Sequence, residues 1–226
     1  MTDLILPASA TGGPIFPLVI PFNPEDLFRK VYPTRAGMTR TYDGGRVNFL
    51  KGKFEGVTRQ AIARGLSRLP RFLGQTDRAY SVAEHSIWVS RWLERIAENQ
   101  FATRERVAAI ALLGLVHDAH EAFTGDIPSP VKELPPLFAP ILTLQGWLDS
   151  EIVRTVLGGS GPFKALHPDD FDLLHAGDKL ALLVEHRDLR GGRNDPRMPQ
   201  DKIIPIGDPA MIERMYLDEL SALAPA

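Results

Sequence analysis

The chain has 226 residues, of which 44% are hydrophobic and 24% are charged, and its formal net charge is −2. This composition is typical of a globular protein with one full core, and the charge provides no basic face for a nucleic-acid backbone. The sequence contains no cysteine, so disulfides, thiolate ligands and a cysteine nucleophile are excluded, and any metal site must use His, Asp or Glu.

The N-terminal segment, up to about residue 35, is rich in proline, which removes amide donors and disfavours helix. We expect an extended arm that packs on the core or on a neighbouring subunit, and the alternative is a disordered tail. The segment lacks the basic start of a signal peptide, and no apolar run has the length of a membrane span. We therefore expect a cytoplasmic enzyme. The prolines concerned are Pro14, Pro17, Pro21, Pro24 and Pro33.

The next segment, TRTYDGGRVNFLKGKF at residues 39–54, has two glycines between short alternating runs, a pattern that predicts a small β-hairpin. We therefore assign residues 1–55 to the arm and hairpin, and residues 56–226 to a helical domain.

Segments with helical periodicity follow the hairpin. Ser81 and Glu84 have the spacing of a capping box, and Thr103 is a suitable cap for the next helix. That next segment is apolar almost all round, which predicts a buried central helix. The pattern predicts an all-α domain, with helices at residues 57–69, 81–99, 103–123, 136–159, 168–192 and 209–223.

Ionisable residues crowd the end of the central helix, where HDAHEAFTGDIPSPVK follows the apolar run AAIALLGLV. His117 and Asp118 come first, and His85 and Asp178 lie among apolar residues of other helices. A carboxylate in such surroundings is costly unless its desolvation is compensated, as a divalent cation would do. Imidazoles and carboxylates together suit Mn, Co, Fe, Ni, Zn or Mg. Neighbours such as His117 and Asp118 can meet one ion only where a helix ends or bends.

The pattern formed by His85, His117–Asp118 and Asp178 resembles the HD-domain metal-dependent phosphohydrolases. YSVAEHS and HDAHEAFTGDIPSPVK are similar to stretches of the small bacterial 5′-deoxynucleotidases and the phage deoxynucleotide triphosphohydrolases, a likeness that spans about residues 65–190. The resemblance implies an HD-domain helical bundle, one divalent metal ion and a homo-oligomer. If the chain is phage-encoded, the expected cytoplasmic location is the cytoplasm of the host.

The resemblance also implies roles for individual residues. The four pattern residues would be the metal ligands. Glu121 would orient or deprotonate the attacking water, and Asp126 would assist the leaving group, although Asp126 in Gly-Asp-Ile-Pro is equally suited to capping a turn. The phosphate would be bound by Lys132, otherwise a surface lysine, and by an arginine. The substrate-binding candidates are therefore Lys132, Arg71 or Arg68, and the sugar-screening aromatic Phe72.

Three functions stay open at this point. The first is hydrolysis of deoxynucleoside monophosphates to deoxynucleoside and phosphate, in which a bound cation lowers the pKa of the attacking water. The second is hydrolysis of deoxynucleoside triphosphates to deoxynucleoside and triphosphate. The third is a catalytically silent scaffold that binds a nucleotide or a metal; Glu121 and Asp126 argue against it. Glu185 and Arg187 are expected to form solvated pairs on a helix surface.

Overall fold

A computed structural model describes residues 37–100, 103–200 and 202–225. The predicted N-terminal arm lies outside these residues. Within them the chain is mostly helical and has one small antiparallel sheet, which confirms the predicted all-α, HD-type bundle.

The sheet consists of β1 (Met38–Arg40), β2 (Arg46–Asn48) and β3 (Lys53–Glu55), joined in that order. The predicted hairpin is thus confirmed, with a third strand added. Val47 pairs with Phe54 across β2 and β3, and both side chains are buried. The ring of Phe54 meets those of Phe123 and Trp147 at 5.1 and 6.0 Å between centroids. The sheet therefore shares the hydrophobic core of the helices.

The predicted helices are present, and their capping residues explain where they start. Thr58 accepts a hydrogen bond from the backbone N–H of Ala61 (3.0 Å), and Ser81 and Glu84 form the predicted capping box (2.9 and 3.3 Å). The helices are α1 (Arg59–Arg68), α2 (Val82–Gln100), α3 (Arg104–Val116), α4 (Glu121–Thr124), α5 (Ser129–Lys132), α6 (Pro135–Glu151), α7 (Asp169–Leu189) and α8 (Pro209–Leu223). A π-helical turn, Ile152–Val156, continues α6, and short 3₁₀ turns occupy Arg71–Gly74 and Gly161–Phe163.

Helix α3 is the central helix of the core, as predicted. The stretch Arg104–Thr124 contains an 18-residue window with the length and mean hydropathy (1.2) of a membrane-spanning helix, and 56% of that window is buried within the fold. The core helix of a folded domain passes the same test, so this stretch is weak evidence for a membrane span.

Two glycines let α2 approach its neighbours closely. A Cβ atom at Gly114 on α3 would lie 2.7 Å from Leu93 Cδ1 and 3.0 Å from Ser90 Cα. A Cβ atom at Gly177 on α7 would lie 3.2 Å from the side chains of Trp92 and Leu93. All three distances are shorter than most Cβ contacts in folded proteins. Small residues at these crossings therefore bring α2, α3 and α7 together, and the predicted ligands lie on α2, on α7 and directly after α3.

Candidate functional site

The predicted ligands converge where α2, α3 and α7 meet. His85 lies in the first turn of α2, and Asp178 lies in the middle of α7, directly after Gly177. His117 and Asp118 follow the last residue of α3, where the chain leaves the regular helix and continues in tight turns to α4. Because the regular helix ends at this point, the side chains of the neighbouring residues His117 and Asp118 can face the same ion.

The four ligand atoms lie close together. Nε2 of His85 is 3.3 Å from Nε2 of His117 and 3.1 Å from Oδ1 of Asp178. Oδ2 of Asp118 is 3.2 Å from Nε2 of His117 and 3.7 Å from Nε2 of His85. Nε2 of His117 is 3.9 Å from Oδ1 of Asp178. Separations of this size suit atoms that surround one ion at bonds of about 2.0–2.2 Å.

The outer nitrogens of both imidazoles are already used. Nδ1 of His85 donates to Oε1 of Glu185 at 2.7 Å, and Nδ1 of His117 donates to the Gly114 carbonyl oxygen at 2.8 Å. Each proton is thereby fixed on Nδ1, so the Nε2 lone pair of the neutral ring is directed towards the other ligands. Two lone pairs and two carboxylates facing one point fit a divalent cation.

The site is deep on one side and open on the other. The side chain of His85 is fully buried, those of His117 and Asp118 are 10% and 17% exposed, and that of Asp178 is 44% exposed. Burial lowers the pKa of His117, but the carboxylates of Asp118 and Asp178 outweigh it and raise that pKa to about 9. Burial also raises the pKa of Asp178, and the hydrogen bond and charge of His85 reverse the shift to a lowered value. The carboxyl group of Asp178 is thus ionised at neutral pH.

Arg71 reaches this cluster from a strained turn. Phe72 and Leu73 both have left-handed backbone angles (φ 54° and 55°), which are costly for residues other than glycine. The turn directs the buried Arg71 inward, where its guanidinium lies 3.0 Å from Glu185 and 3.7 Å from Asp118. Its Nε has no hydrogen-bond partner among the described residues. A buried donor is therefore available beside the ligands.

The structure does not bring Arg68, the other arginine candidate, to the ligands. Its guanidinium binds Glu213 on α8 and the hydroxyl of Ser67. Phe72 follows Arg71, and its ring lies 5.2 Å from that of His186 and 5.0 Å from the guanidinium of Arg190.

The carboxylate of Glu121 lies beside the cluster, as the sequence suggested. Its Oε1 accepts a hydrogen bond from Lys132 at 3.1 Å, and its Oε2 is buried with no partner among the described residues. Burial and the neighbouring Asp118 raise the pKa of Glu121 to about 8, against the lowering effect of Lys132. Asp126 is near enough to raise the pKa of Glu121 and of Arg71. Glu121, Asp126 and Lys132 therefore all lie around the ligands.

Glu185 is the residue that sequence reasoning missed. We expected a solvated helix pair, but its side chain is fully buried and accepts hydrogen bonds from both His85 and Arg71 (2.7 and 3.0 Å). Arg187 pairs instead with Asp188. Glu185 follows Asp178 by seven residues, or two helical turns, so the two share a face of α7. That spacing places Glu185 on the same face as a predicted ligand, but it does not indicate that the side chain is buried.

A helical bundle in which two histidines and two aspartates of an H…HD…D pattern converge defines an HD-domain protein. The family model of the YfbR-like 5′-deoxynucleotidases matches residues 64–141. An uncharacterized protein of Escherichia coli K12, YfdR, is 32% identical over 150 residues, which cover 66% of this chain and 71% of that protein. The chain belongs to the YfbR-like family of HD-domain proteins.

Two further relatives share shorter segments. An uncharacterized protein of Rhodobacter capsulatus is 40% identical over 95 residues, which cover 41% of this chain and 45% of the relative. A 5′-deoxynucleotidase of Klebsiella pneumoniae is 41% identical over 58 residues, 24% of this chain and 29% of the enzyme. The chain thus spans less than half the length of both of these relatives.

Proposed function

We propose that the protein is a metal-dependent phosphohydrolase that cleaves deoxynucleoside 5′-monophosphates into deoxynucleoside and phosphate. The observation that carries this proposal is the convergence of four ligand atoms, a buried arginine donor and a buried carboxylate oxygen on one site. Membership of the YfbR-like family supports the class of reaction, and the name of the Klebsiella relative supports the substrate class.

His85, His117, Asp118 and Asp178 would hold a divalent cation, and their mixture of imidazole and carboxylate suits Mn, Co, Zn, Mg, Fe or Ni. When bound, the cation supplies charge that polarises the phosphate and lowers the pKa of a coordinated water. The outer hydrogen bonds to Glu185 and Gly114 hold the two imidazoles in the required orientation.

Arg71 would bind the phosphate. Glu185 and Asp118 hold its guanidinium in place, and its Nε has no hydrogen-bond partner among the described residues. A charged donor in a buried site recognises a phosphate oxygen strongly, because little water competes for it. Lys132 would add a second positive charge on the side of Glu121.

Glu121 would orient the attacking water through Oε2 and accept its proton, while Lys132 holds Oε1. The water oxygen would form a bond to phosphorus, the bond from phosphorus to the 5′ oxygen would break, and that oxygen would take up the proton that Glu121 accepted, with Asp126 assisting on the leaving-group side. Phe72 would screen the sugar beside Arg71. Water and the monophosphate then yield deoxynucleoside and phosphate.

One observation favours a second candidate, hydrolysis of deoxynucleoside triphosphates to deoxynucleoside and triphosphate. Arg71 and Arg190 lie 5.3 and 5.0 Å from the ring centroid of Phe72. Two guanidinium groups around one ring provide charge for more than one phosphate. Attack on the phosphorus nearest the sugar serves both substrates, so the site residues keep their roles.

Product analysis separates the candidates. We would incubate the metal-loaded protein with deoxynucleoside mono- and triphosphates and resolve the products by chromatography. Orthophosphate from monophosphates supports the nucleotidase, and intact triphosphate supports the triphosphohydrolase. Asp118→Ala should lose both bound metal and turnover. No turnover with any substrate or metal would favour the silent scaffold and overturn the proposal.

We further propose that the protein is cytoplasmic and that it forms a homo-oligomer. Size-exclusion chromatography with light scattering would test the oligomeric state. The division into an arm and hairpin (1–55) and an HD domain (56–226) also stays a proposal, because the described residues begin at Gly37.

A further inference from the structure

Two buried polar atoms beside the ligand cluster lack protein partners. Nε2 of His120 and Oε2 of Glu121 accept no hydrogen bond from any residue that the structure describes. The two residues are 6% and 2% exposed. Leaving a buried polar atom unpaired costs about 1–3 kcal/mol, so two such atoms on consecutive residues indicate an occupant other than protein.

Asp118 completes a group of three residues with His120 and Glu121. One ligand atom from each of Asp118, His120 and Glu121 lies within 4.8 Å of the other two. All three residues belong to one tight turn, in which the backbone N–H of Glu121 donates to the Asp118 carbonyl at 3.0 Å. The turn therefore brings one imidazole and two carboxylates to a common point.

The orientation of His120 matches that of a metal-binding histidine. Its Nδ1 donates to Oδ1 of Asp149 at 3.0 Å, which leaves the lone pair of the neutral ring on Nε2. His85 has the same relationship to Glu185 (2.7 Å). A carboxylate behind an imidazole fixes its tautomer and strengthens it as a ligand. Lys132 occupies only Oε1 of Glu121, so Oε2 is available.

The local charge also favours a second cation. Two cationic side chains, Arg71 and Lys132, are set among a larger number of carboxylates. With all five carboxylates ionised, one divalent ion at the first centre would still leave this group with net negative charge, while burial makes uncompensated charge costly. The carboxylates are those of Asp118, Glu121, Asp126, Asp178 and Glu185.

We propose that Asp118, His120 and Glu121 form a second divalent-cation site, which shares Asp118 with the first. One nitrogen and two carboxylate ligands suit Mn, Co or Zn. The competing occupant is a water molecule held between His120 and Glu121. In this proposal Oε2 of Glu121 is a metal ligand, which replaces its role as the base in the proposed reaction, and the test therefore measures metal content in the absence of substrate.

Metal content at saturating Mn²⁺ tests the proposal. The full chain would be stripped with a chelator, reloaded, passed through a desalting column and analysed by mass spectrometry and electron paramagnetic resonance. We expect two Mn²⁺ per wild-type chain with a spin-coupled signal, and one per chain without coupling in His120→Ala. His175→Ala changes an exposed histidine of α7 and should keep both ions.

His120→Asn provides a second variant that retains a polar side chain in case the alanine variant fails to fold. One Mn²⁺ per wild-type chain would mean that water fills the site and would overturn the proposal, as would two ions in the folded His120 variants. Two ions without turnover on any nucleotide would refute the proposed function and leave the second site intact. One ion with turnover would refute the second site and leave the proposed function intact.

Discussion

The carboxylate of Glu185 binds Nδ1 of His85 through one oxygen (2.7 Å) and the guanidinium of Arg71 through the other (3.0 Å). A single buried side chain therefore orients both a candidate metal ligand and the candidate phosphate donor. Burial raises the pKa of Glu185, but the charges of His85 and Arg71 outweigh burial and lower it. The side chain is thus a carboxylate at neutral pH and accepts from both partners.

Glu185→Gln should weaken both metal binding through His85 and phosphate binding through Arg71. The amide presents a donor where one partner needs an acceptor, so we expect metal affinity to fall about 10- to 100-fold, the scale of losing an outer partner, and KM to rise. Affinity would be measured by titration with Co²⁺ and its visible spectrum. Glu213→Gln is the matched control, because Glu213 is also buried and binds Arg68. Equal effects in both variants would contradict a positioning role.

Glu121→Gln tests the proposed base. The amide keeps the size of the side chain but cannot accept a proton, so we expect kcat to fall by about 10²-fold or more while His85, His117, Asp118 and Asp178 keep their cation. Single-turnover kinetics and metal analysis of the same sample would check both statements. Unchanged kcat would remove Glu121 from the mechanism.

Much of this site was accessible from the sequence, because its ligands lie in recognisable local patterns. The HD pair follows an apolar helix, and the capping box at Ser81 and Glu84 fixes the start of the helix that carries His85. Glu185 was not found, because a carboxylate between Val184 and His186 is equally compatible with a solvent-facing helix position. Its burial follows from the tertiary approach of Arg71 and His85, which helical periodicity does not encode.

The arginine candidates illustrate the same limit. Arg68 and Arg71 are three residues apart, and composition does not distinguish them. The left-handed turn at Phe72 and Leu73 directs Arg71 inward, while Arg68 is drawn to Glu213. Positive φ at two bulky residues is unexpected from sequence, since these residues rarely adopt it. The backbone N–H of Arg71 donates to the carbonyl oxygen of Tyr80 (3.0 Å), a contact that helps to hold the turn in place.

Arg71→Lys should raise KM. Lysine keeps the charge but loses the fixed fork of donors, and loss of charged hydrogen bonds worth about 1.5–3 kcal/mol corresponds to about 10- to 100-fold. Steady-state kinetics on a deoxynucleoside monophosphate would measure the change. Arg68→Lys is the matched control and should leave KM unchanged. A larger effect from Arg68→Lys would reverse the assignment of the phosphate-binding arginine.

Gly114→Ala should separate α3 from α2. The added Cβ would lie 2.7 Å from Leu93 and 3.0 Å from the backbone of Ser90, and overpacking of this kind costs about 1–3 kcal/mol. We expect a lower Tm and weaker metal binding, because His117 binds the Gly114 carbonyl. Gly146→Ala is the control, since its Cβ meets nothing within 4 Å. A stable Gly114→Ala protein with normal metal affinity would show that the close approach does not position the ligands.

The stability of the metal-free protein should fall as pH rises from about 4 to 8. The pKa of Glu121 is about 8 in the folded chain and about 4.3 when unfolded. Between these two pKa values the folded state therefore binds more protons than the unfolded state. The protonated Glu121 contributes its full stabilisation of the folded state below the unfolded pKa, and this contribution is lost as pH rises through the folded pKa. His117, with a folded pKa of about 9, adds a loss of the same sign between about 6.5 and 9.

Chemical denaturation across this range, with and without Mn²⁺, would measure the slope. Glu121→Gln should remove the fall in stability between about pH 4 and 6.5, where His117 does not titrate. Glu98→Gln, at an exposed position of α2, should leave the profile as in the wild type. Bound Mn²⁺ should flatten the slope, because a nearby cation favours the ionised carboxylate and lowers the pKa of Glu121. A profile that Glu121→Gln does not alter would mean that Glu121 is already ionised in the folded protein, with Lys132 outweighing its burial.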